Sequence, residues 1–119
     1  NAFFFGPAQS GFIATYTYSL DEQSVHLAHI LSVAGEKGAK RIEASEAAEK
    51  AWVQTIIEKA RLTADFQEKC TPGYYNNEGK PSALAARNGA YGKGPIAFVK
   101  LIEAWRADGG LEGLELTAD

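Results

Sequence analysis

The stretch from Cys70 to Lys80, with the sequence CTPGYYNNEGK, is the feature that most limits how this chain can fold. Its Pro-Gly pair is a turn dipeptide, and its asparagines and second glycine tolerate left-handed backbone, so neither a helix nor an ordinary strand continues through it. It also carries two adjacent tyrosines, Tyr74 and Tyr75, beside two side-chain amides. Aromatic rings stack and amides hydrogen-bond, so this composition is typical of a loop that contacts a planar, polar ligand.

Amphipathic segments on both sides of this loop predict helices. Ser19 and Glu22 fit a capping box, and the helix that follows is predicted to run to about Ala34. A second helix is predicted from an N-cap at Ser45 to about Leu62, with apolar residues on one face and charged residues on the other.

The third helix carries the strongest periodic signal. It is predicted to begin at Gly94-Pro95, because proline suits the first helical position. Short apolar runs predict a buried strand at Phe3–Phe5 and a half-buried strand at Leu111–Leu116, whereas Arg41–Glu43 is too short to predict a strand. The predicted fold class is therefore α+β and rich in helix, with three amphipathic helices and short strands. The apolar residues of the third helix recur at helical spacing: Phe98, Leu101, Ile102 and Trp105.

The composition excludes several classes of protein. With 45% hydrophobic and 23% charged residues, the 119-residue chain has the balance of one globular domain. A net charge of -3 argues against a nucleic-acid partner, which favours a basic surface. No apolar run approaches the roughly 20 residues that cross a bilayer, so no membrane partner is expected. The single cysteine permits no internal disulfide and predicts a cytoplasmic location.

Several residue patterns carry competing interpretations. His26 and His29 lack the third ligand that a metal site needs, so a surface or interhelix histidine pair is the favoured interpretation and no metal is predicted. Cys70 has no neighbouring base that would make it a nucleophile. The glycine-rich stretch 89–94 matches no phosphate-binding motif and is predicted to be a turn that leads into a helix, with backbone contact between Gly94 and a phosphate as the alternative. The stretch 15–18 is equally consistent with backbone contact to a ring carbonyl or phosphate and with a loop packed by its own aromatic residues.

Several short motifs, in order along the chain, resemble the flavin-dependent Baeyer–Villiger monooxygenases. The loop sequence CTPGYYNNEG is the most similar, and it resembles the branch that includes steroid and large-ring ketone monooxygenases. The resemblance covers almost the whole chain. The other segments that carry it are Asn1–Gln9, Leu20–Gln23 with His26, Ile42–Ala44 with Ala48-Glu49 and Trp52, Phe98, Trp105-Arg106, Gly109 and Leu111–Leu114.

This resemblance implies that the chain is the C-terminal fragment of a larger α/β flavoenzyme with two dinucleotide-binding domains. Residues 1–34 would supply the last strand, loop and helix of the FAD-binding domain, and residues 35–119 a C-terminal helical segment that carries loop 70–80. The family binds FAD, uses NADP(H) and O2, and inserts one oxygen atom into a ketone to give an ester or lactone. Its dinucleotide fingerprints and its active-site arginine lie upstream of this segment, so no catalytic residue is expected here.

The resemblance also assigns contacts to individual residues. Tyr16 and Thr17 fall where the backbone of the family approaches the flavin ring. Ala14 and Thr15 fall on a bulge on the substrate side. The loop residues that fall near the nicotinamide cofactor and the substrate are Tyr74, Tyr75 and Asn76.

Two other functions remain open at the level of sequence. One is a free-standing α+β binding or interaction module, and the other is a flavin monooxygenase that oxidises nitrogen or sulfur. If the chain is a fragment, its partner is the rest of the flavoenzyme chain. We expect the isolated 119 residues to bind no cofactor, to be inactive and to self-associate, because a lone strand at Phe3–Phe5 leaves backbone groups unpaired.

Overall fold

The structure, a computed structural model, describes residues 1–11, 13–60, 69, 71–73, 78–80 and 83–118. Within these residues the predicted mixture of helices and short strands is confirmed. None of the helices in the described ranges is long and apolar enough to span a bilayer. The helices are α1 (Tyr16–Glu36), α2 (Glu46–Lys59), α3 (Ala83–Arg87) and α4 (Pro95–Ala107), and the strands are β1 (Arg41–Ala44) and β2 (Leu114–Thr117).

Helices α2 and α4 begin where the sequence predicts. The Ser45 hydroxyl accepts a hydrogen bond from the Ala48 N–H at 3.2 Å, which satisfies one of the free donors in the first turn of α2. Gly94 precedes α4 with a φ of 93°, a left-handed conformation that glycine adopts easily, and Pro95 follows at the first helical position. Each of these two helix starts is set by residues that lie within three positions of one another in sequence.

Helix α1 begins earlier than predicted, and the capping box at Ser19 is wrong. The helix starts at Tyr16, so Ser19 lies inside it and is buried. Its hydroxyl donates to the Gly11 carbonyl oxygen at 3.1 Å instead of capping the helix. The contact with Gly11 comes from the fold, not from the local sequence, which explains why the local pattern misplaced the start. The helix ends at Glu36, two residues beyond the predicted end.

The two strands form an antiparallel pair that packs against the core through Ile42, Leu114 and Leu116. Arg41 pairs with Thr117 and Ala44 pairs with Leu114. The outer edge of β1 is met by a side chain, because the Asn1 amide accepts from the Ile42 N–H at 2.8 Å and donates to the Lys40 carbonyl at 2.7 Å. Asn1 therefore occupies edge positions where a neighbouring strand would make backbone hydrogen bonds.

The predicted strand at Phe3–Phe5 is wrong for this chain. Residues 1–5 have no regular secondary structure, and the side chain of Phe4 is 94% exposed. A strand requires a partner, and in the described part of the chain β1 and β2 pair with each other. The aromatic run therefore has no regular secondary structure, and Phe3 and Phe5 are 39% and 45% exposed.

The core lies where α1, α4 and the strand pair meet. Ile30 and Ala34 of α1 and Leu111 are buried there. Helix α1 packs against α4, and α2 packs against α3. Partly buried apolar side chains surround this core: Val33, Ala39, Ile42, Trp105, Leu114 and Leu116.

An aromatic cluster joins α2 to α4 on the other side. Trp52 stacks on Tyr91 with ring centroids 5.7 Å apart, and Phe98 contacts both rings at 6.3 and 6.1 Å. Ile56 of α2 is fully buried. The glycine-rich stretch 89–94 thus carries a core residue, Tyr91, and leads into α4 as the turn interpretation predicted.

Candidate functional site

The first turn of α1 brings four of the predicted contact residues together. Ala14, Thr15, Tyr16 and Thr17 are consecutive and exposed at the start of this 21-residue helix. The Tyr16 N–H donates to Ala14 at 3.1 Å, and the Tyr18 N–H donates to Thr15 at 3.1 Å. The chain therefore turns tightly into the helix and presents its start to solvent.

The partial positive charge at the start of α1 is not neutralised by a cap or by an acidic side chain. The Thr15 side chain makes no capping hydrogen bond, and no acidic residue lies in the first turn. A helix N-terminus carries a partial positive charge and N–H groups without helical partners. Such a turn favours an electron-rich oxygen, either a ring carbonyl or a phosphate oxygen.

The other predicted contact residues, Tyr74, Tyr75 and Asn76, lie outside the described residues, as does Cys70. The two ends of their loop are described and meet each other. The Glu78 N–H donates to the Gly73 carbonyl at 2.9 Å. Gly79 has a φ of 73° and lies close to Pro72, so its lack of a side chain permits the approach. The residues on either side of the loop tip are therefore held together by these contacts. The proposed ligand contacts of Tyr74, Tyr75 and Asn76 stay predictions.

An apolar groove of about 480 Å³ runs beside α1 and α4. It was missed at the level of sequence, because the periodic face of α4 predicts core and does not show that part of this face lacks a partner. Leu101 is 38% exposed along it. The sequence signal for the groove would have been that the chain predicts more apolar helix and strand faces than it has elements to cover them. The groove is lined chiefly by Phe3–Phe5, Leu27, Ile30, Trp52, Phe98, Ile102 and Trp105.

The two histidines of α1 pack on one tryptophan of α4, as the interhelix interpretation predicted. The ring of His26 lies 5.0 Å from that of Trp105, and the ring of His29 lies 6.2 Å from it. Beside them Arg106 faces Glu22 at 3.9 Å, with both side chains mostly buried. Within the described residues no group of three potential metal ligands occurs.

Burial lowers the pKa of His26, and the positive charge of Arg106 and the proximity of His29 lower it further. A lowered pKa in the folded chain means that protonation favours the unfolded chain, so stability is full above the ordinary histidine pKa and is lost as pH falls below it. The chain is therefore expected to unfold at lower urea concentration at pH 5.5 than at pH 7.5.

His26→Gln is expected to weaken this dependence, because glutamine does not titrate. Urea midpoints of the original chain and of His26→Gln at both pH values measure the effect, in a window above the ordinary range of Asp and Glu. An equal loss of stability in both proteins would show that His26 does not carry it.

The chain is similar over nearly its whole length to one part of larger monooxygenases. It is 47% identical over 116 residues to pentalenolactone D synthase of Streptomyces exfoliatus, covering 98% of this chain and 20% of that protein. It is 35% identical over 117 residues to an FAD-binding monooxygenase of Hypomyces subiculosus, covering 98% of this chain and 19% of that protein. A Baeyer–Villiger monooxygenase of Stachybotrys chlorohalonatus is 36% identical over 110 residues, covering 92% and 18%.

The comparison of folds also finds a monooxygenase. The polycyclic ketone monooxygenase of Thermothelomyces thermophila superposes with a TM-score of 0.74 at 29% identity, over 93% of this chain and 18% of that protein. No family model matches the chain. The chain thus spans about one fifth of the length of the curated relatives that it matches.

Proposed function

We propose that the chain works as part of an FAD- and NADPH-dependent enzyme. The premise is its homology to a segment that makes up about one fifth of the length of FAD-binding and Baeyer–Villiger monooxygenases. That enzyme inserts one oxygen atom from O2 into a ketone and gives an ester or lactone. The observation that carries the proposal is the match over 98% of the chain at 47% identity, joined to a TM-score of 0.74 against a ketone monooxygenase. Neither alternative function is favoured by a specific observation.

The role of this segment is to position cofactors and to line the site. FAD, when bound, supplies the chemistry that activates O2. The backbone at Tyr16 and Thr17 approaches the flavin ring, and the start of α1 supports this assignment because it carries the partial positive charge of a helix N-terminus with no side-chain cap and no acidic residue. Ala14 and Thr15 lie on the same exposed turn and line the substrate side. The loop residues assigned to NADP(H) and the substrate are Tyr74, Tyr75 and Asn76.

The proposal divides the chain between two parts of the enzyme. We assign residues 1–34 to the FAD-binding domain and residues 35–119 to a C-terminal segment that carries loop 70–80. The rest of the enzyme supplies the dinucleotide fingerprints and the residues of the chemical step, so no catalytic residue is assigned here. The proposal includes a cytoplasmic location, since the single cysteine requires no oxidising compartment.

The proposal is tested on the full-length protein that carries this chain. Purified protein is expected to be yellow, with flavin absorption, and to oxidise NADPH faster when a polycyclic ketone is added. Mass spectrometry is expected to find a product heavier than the ketone by one oxygen atom. A colourless protein, or oxygen transfer to amines and sulfides with none to ketones, would reject the function. The purified 119 residues are the control and are expected to retain no FAD and to oxidise no NADPH.

A further inference from the structure

Residues 6–11 form an irregular segment that is nevertheless packed into the fold. Ser10 and Gly11 are buried, although no helix or strand satisfies their backbone groups. A Cβ on Gly11 would lie 2.9 Å from the Phe98 ring, so the segment touches α4 closely. Buried backbone polar groups must find partners, and here the partners are side chains of α1 and the backbone that follows α3.

Two side chains of α1 hold the two ends of this segment. The Gln23 amide accepts from the Gly6 N–H at 3.1 Å and donates to the Gly6 carbonyl at 3.3 Å, so it binds both backbone groups of one residue. One turn earlier in the helix, Ser19 donates to the Gly11 carbonyl at 3.1 Å. Ser10 closes the segment internally by donating to the Gly6 carbonyl at 2.6 Å.

The opposite side of the segment is held by residues 87–91. The Gln9 N–H donates to the Gly89 carbonyl at 2.8 Å, and its side chain donates to the Arg87 carbonyl at 3.0 Å. The Tyr91 N–H donates to the Ser10 carbonyl at 3.0 Å. Gln9 has a φ of 55°, which is unfavourable for a residue other than glycine, and these bonds hold it there.

We propose that Gln23 and Ser19 are positioning residues for the turn Ala14–Thr17, and this inference rests on the proposed function. The turn begins three residues after Gly11, whose carbonyl Ser19 fixes. Both side chains belong to α1, whose first turn contacts the flavin in the proposed function. They therefore fix segment 6–11, which leads into that turn, to the same helix. A displacement of reacting groups by about 1 Å can cost on the order of a hundredfold in rate, so a brace of this kind affects turnover.

The variant Gln23→Met removes both amide bonds and keeps a side chain of similar length. Gln54→Met is the matched control, because Gln54 is exposed on α2 and, among the described residues, its side chain bonds to Glu58 one turn along. Ser19→Ala tests the second bond and keeps the inference testable should Gln23→Met fail to fold. All three variants are made in the full-length enzyme.

Two measurements separate positioning from general stability. Amide hydrogen exchange in the peptide covering residues 6–18 is expected to rise at least about fivefold in Gln23→Met, because the loss of either of its two hydrogen bonds alone gives a rate change of about that size. With a ketone present, a severalfold larger share of the NADPH consumed is expected to reduce O2 to hydrogen peroxide, whereas Gln54→Met keeps the original share.

An unchanged peroxide share in Gln23→Met and Ser19→Ala, with faster exchange or a lower melting temperature, would overturn the positioning role and leave a structural one. Unchanged exchange would overturn the brace itself. If the full-length protein holds no flavin, the proposed function fails separately, and the positioning role toward that cofactor fails with it.

Discussion

Gly92→Ala is expected to destabilise the chain by about 3 kcal/mol or more, a large part of the stability of a small domain. A Cβ at this position would overlap the carbonyl oxygen of Lys59 and lie 2.6 Å from its carbonyl carbon. Both atoms belong to the backbone at the end of α2, so no side chain can rotate away. Moving the turn would pull Tyr91 from its stack on Trp52, which joins α2 to the segment before α4.

Gly35→Ala is the matched control for this change. Gly35 lies within α1, and an added Cβ there would meet no atom within 4 Å. Since glycine costs a helix up to about 1 kcal/mol relative to alanine, this variant is expected to be slightly more stable than the original chain. Urea unfolding followed by tryptophan fluorescence measures both. If Gly92→Ala unfolds at the same urea concentration as the original chain, the close contact with α2 is not present in solution.

The parts of the fold that the sequence predicts correctly depend on neighbouring residues. Ser45 caps α2 by bonding three residues ahead, and Gly94-Pro95 opens α4 by backbone preference alone. These effects are local, so a short stretch of sequence contains all the information needed.

The wrong predictions depend on residues far away in the chain. Ser19 looks like a cap, but Gly11 takes its hydroxyl, so the helix starts earlier. Phe3–Phe5 looks like a buried strand, but a strand forms only where a partner strand is available. The described chain offers this run none, because β1 pairs with β2 and with the Asn1 side chain.

The candidate site divides in the same way. Ala14–Thr17 come together because they are adjacent in sequence, but their place at the start of α1 was not predicted, because the sequence put that start at Ser19. The bond between Gln23 and Gly6 joins residues 17 apart, and nothing in the sequence marks the pair. A glutamine in an amphipathic helix has the same local signature whether it faces water or holds a loop.

Trp105→Ala is expected to cost about 2 to 3 kcal/mol, below the range for a fully buried aromatic side chain because Trp105 is only partly buried. Its ring lies against His26 and His29 of α1, tilted by 55° to the first and edge-on to the second. Its Nε1–H also donates to the Glu112 carbonyl at 3.1 Å, which ties the end of α4 to the approach to β2. The substitution therefore enlarges the groove between α1 and α4 and removes the indole donor to that carbonyl.

Two further variants separate these contributions. Trp105→Phe keeps an aromatic ring between the helices but loses the N–H donor, so the expected loss is about 1 kcal/mol for the hydrogen bond, plus that of a smaller ring. Leu101→Ala, one turn earlier on α4 at a side chain 38% exposed, is expected to cost less than Trp105→Ala because less apolar surface is lost from the core. Urea midpoints that rank Leu101→Ala as the more damaging change would mean that α1 and α4 are held together along the groove and not through Trp105.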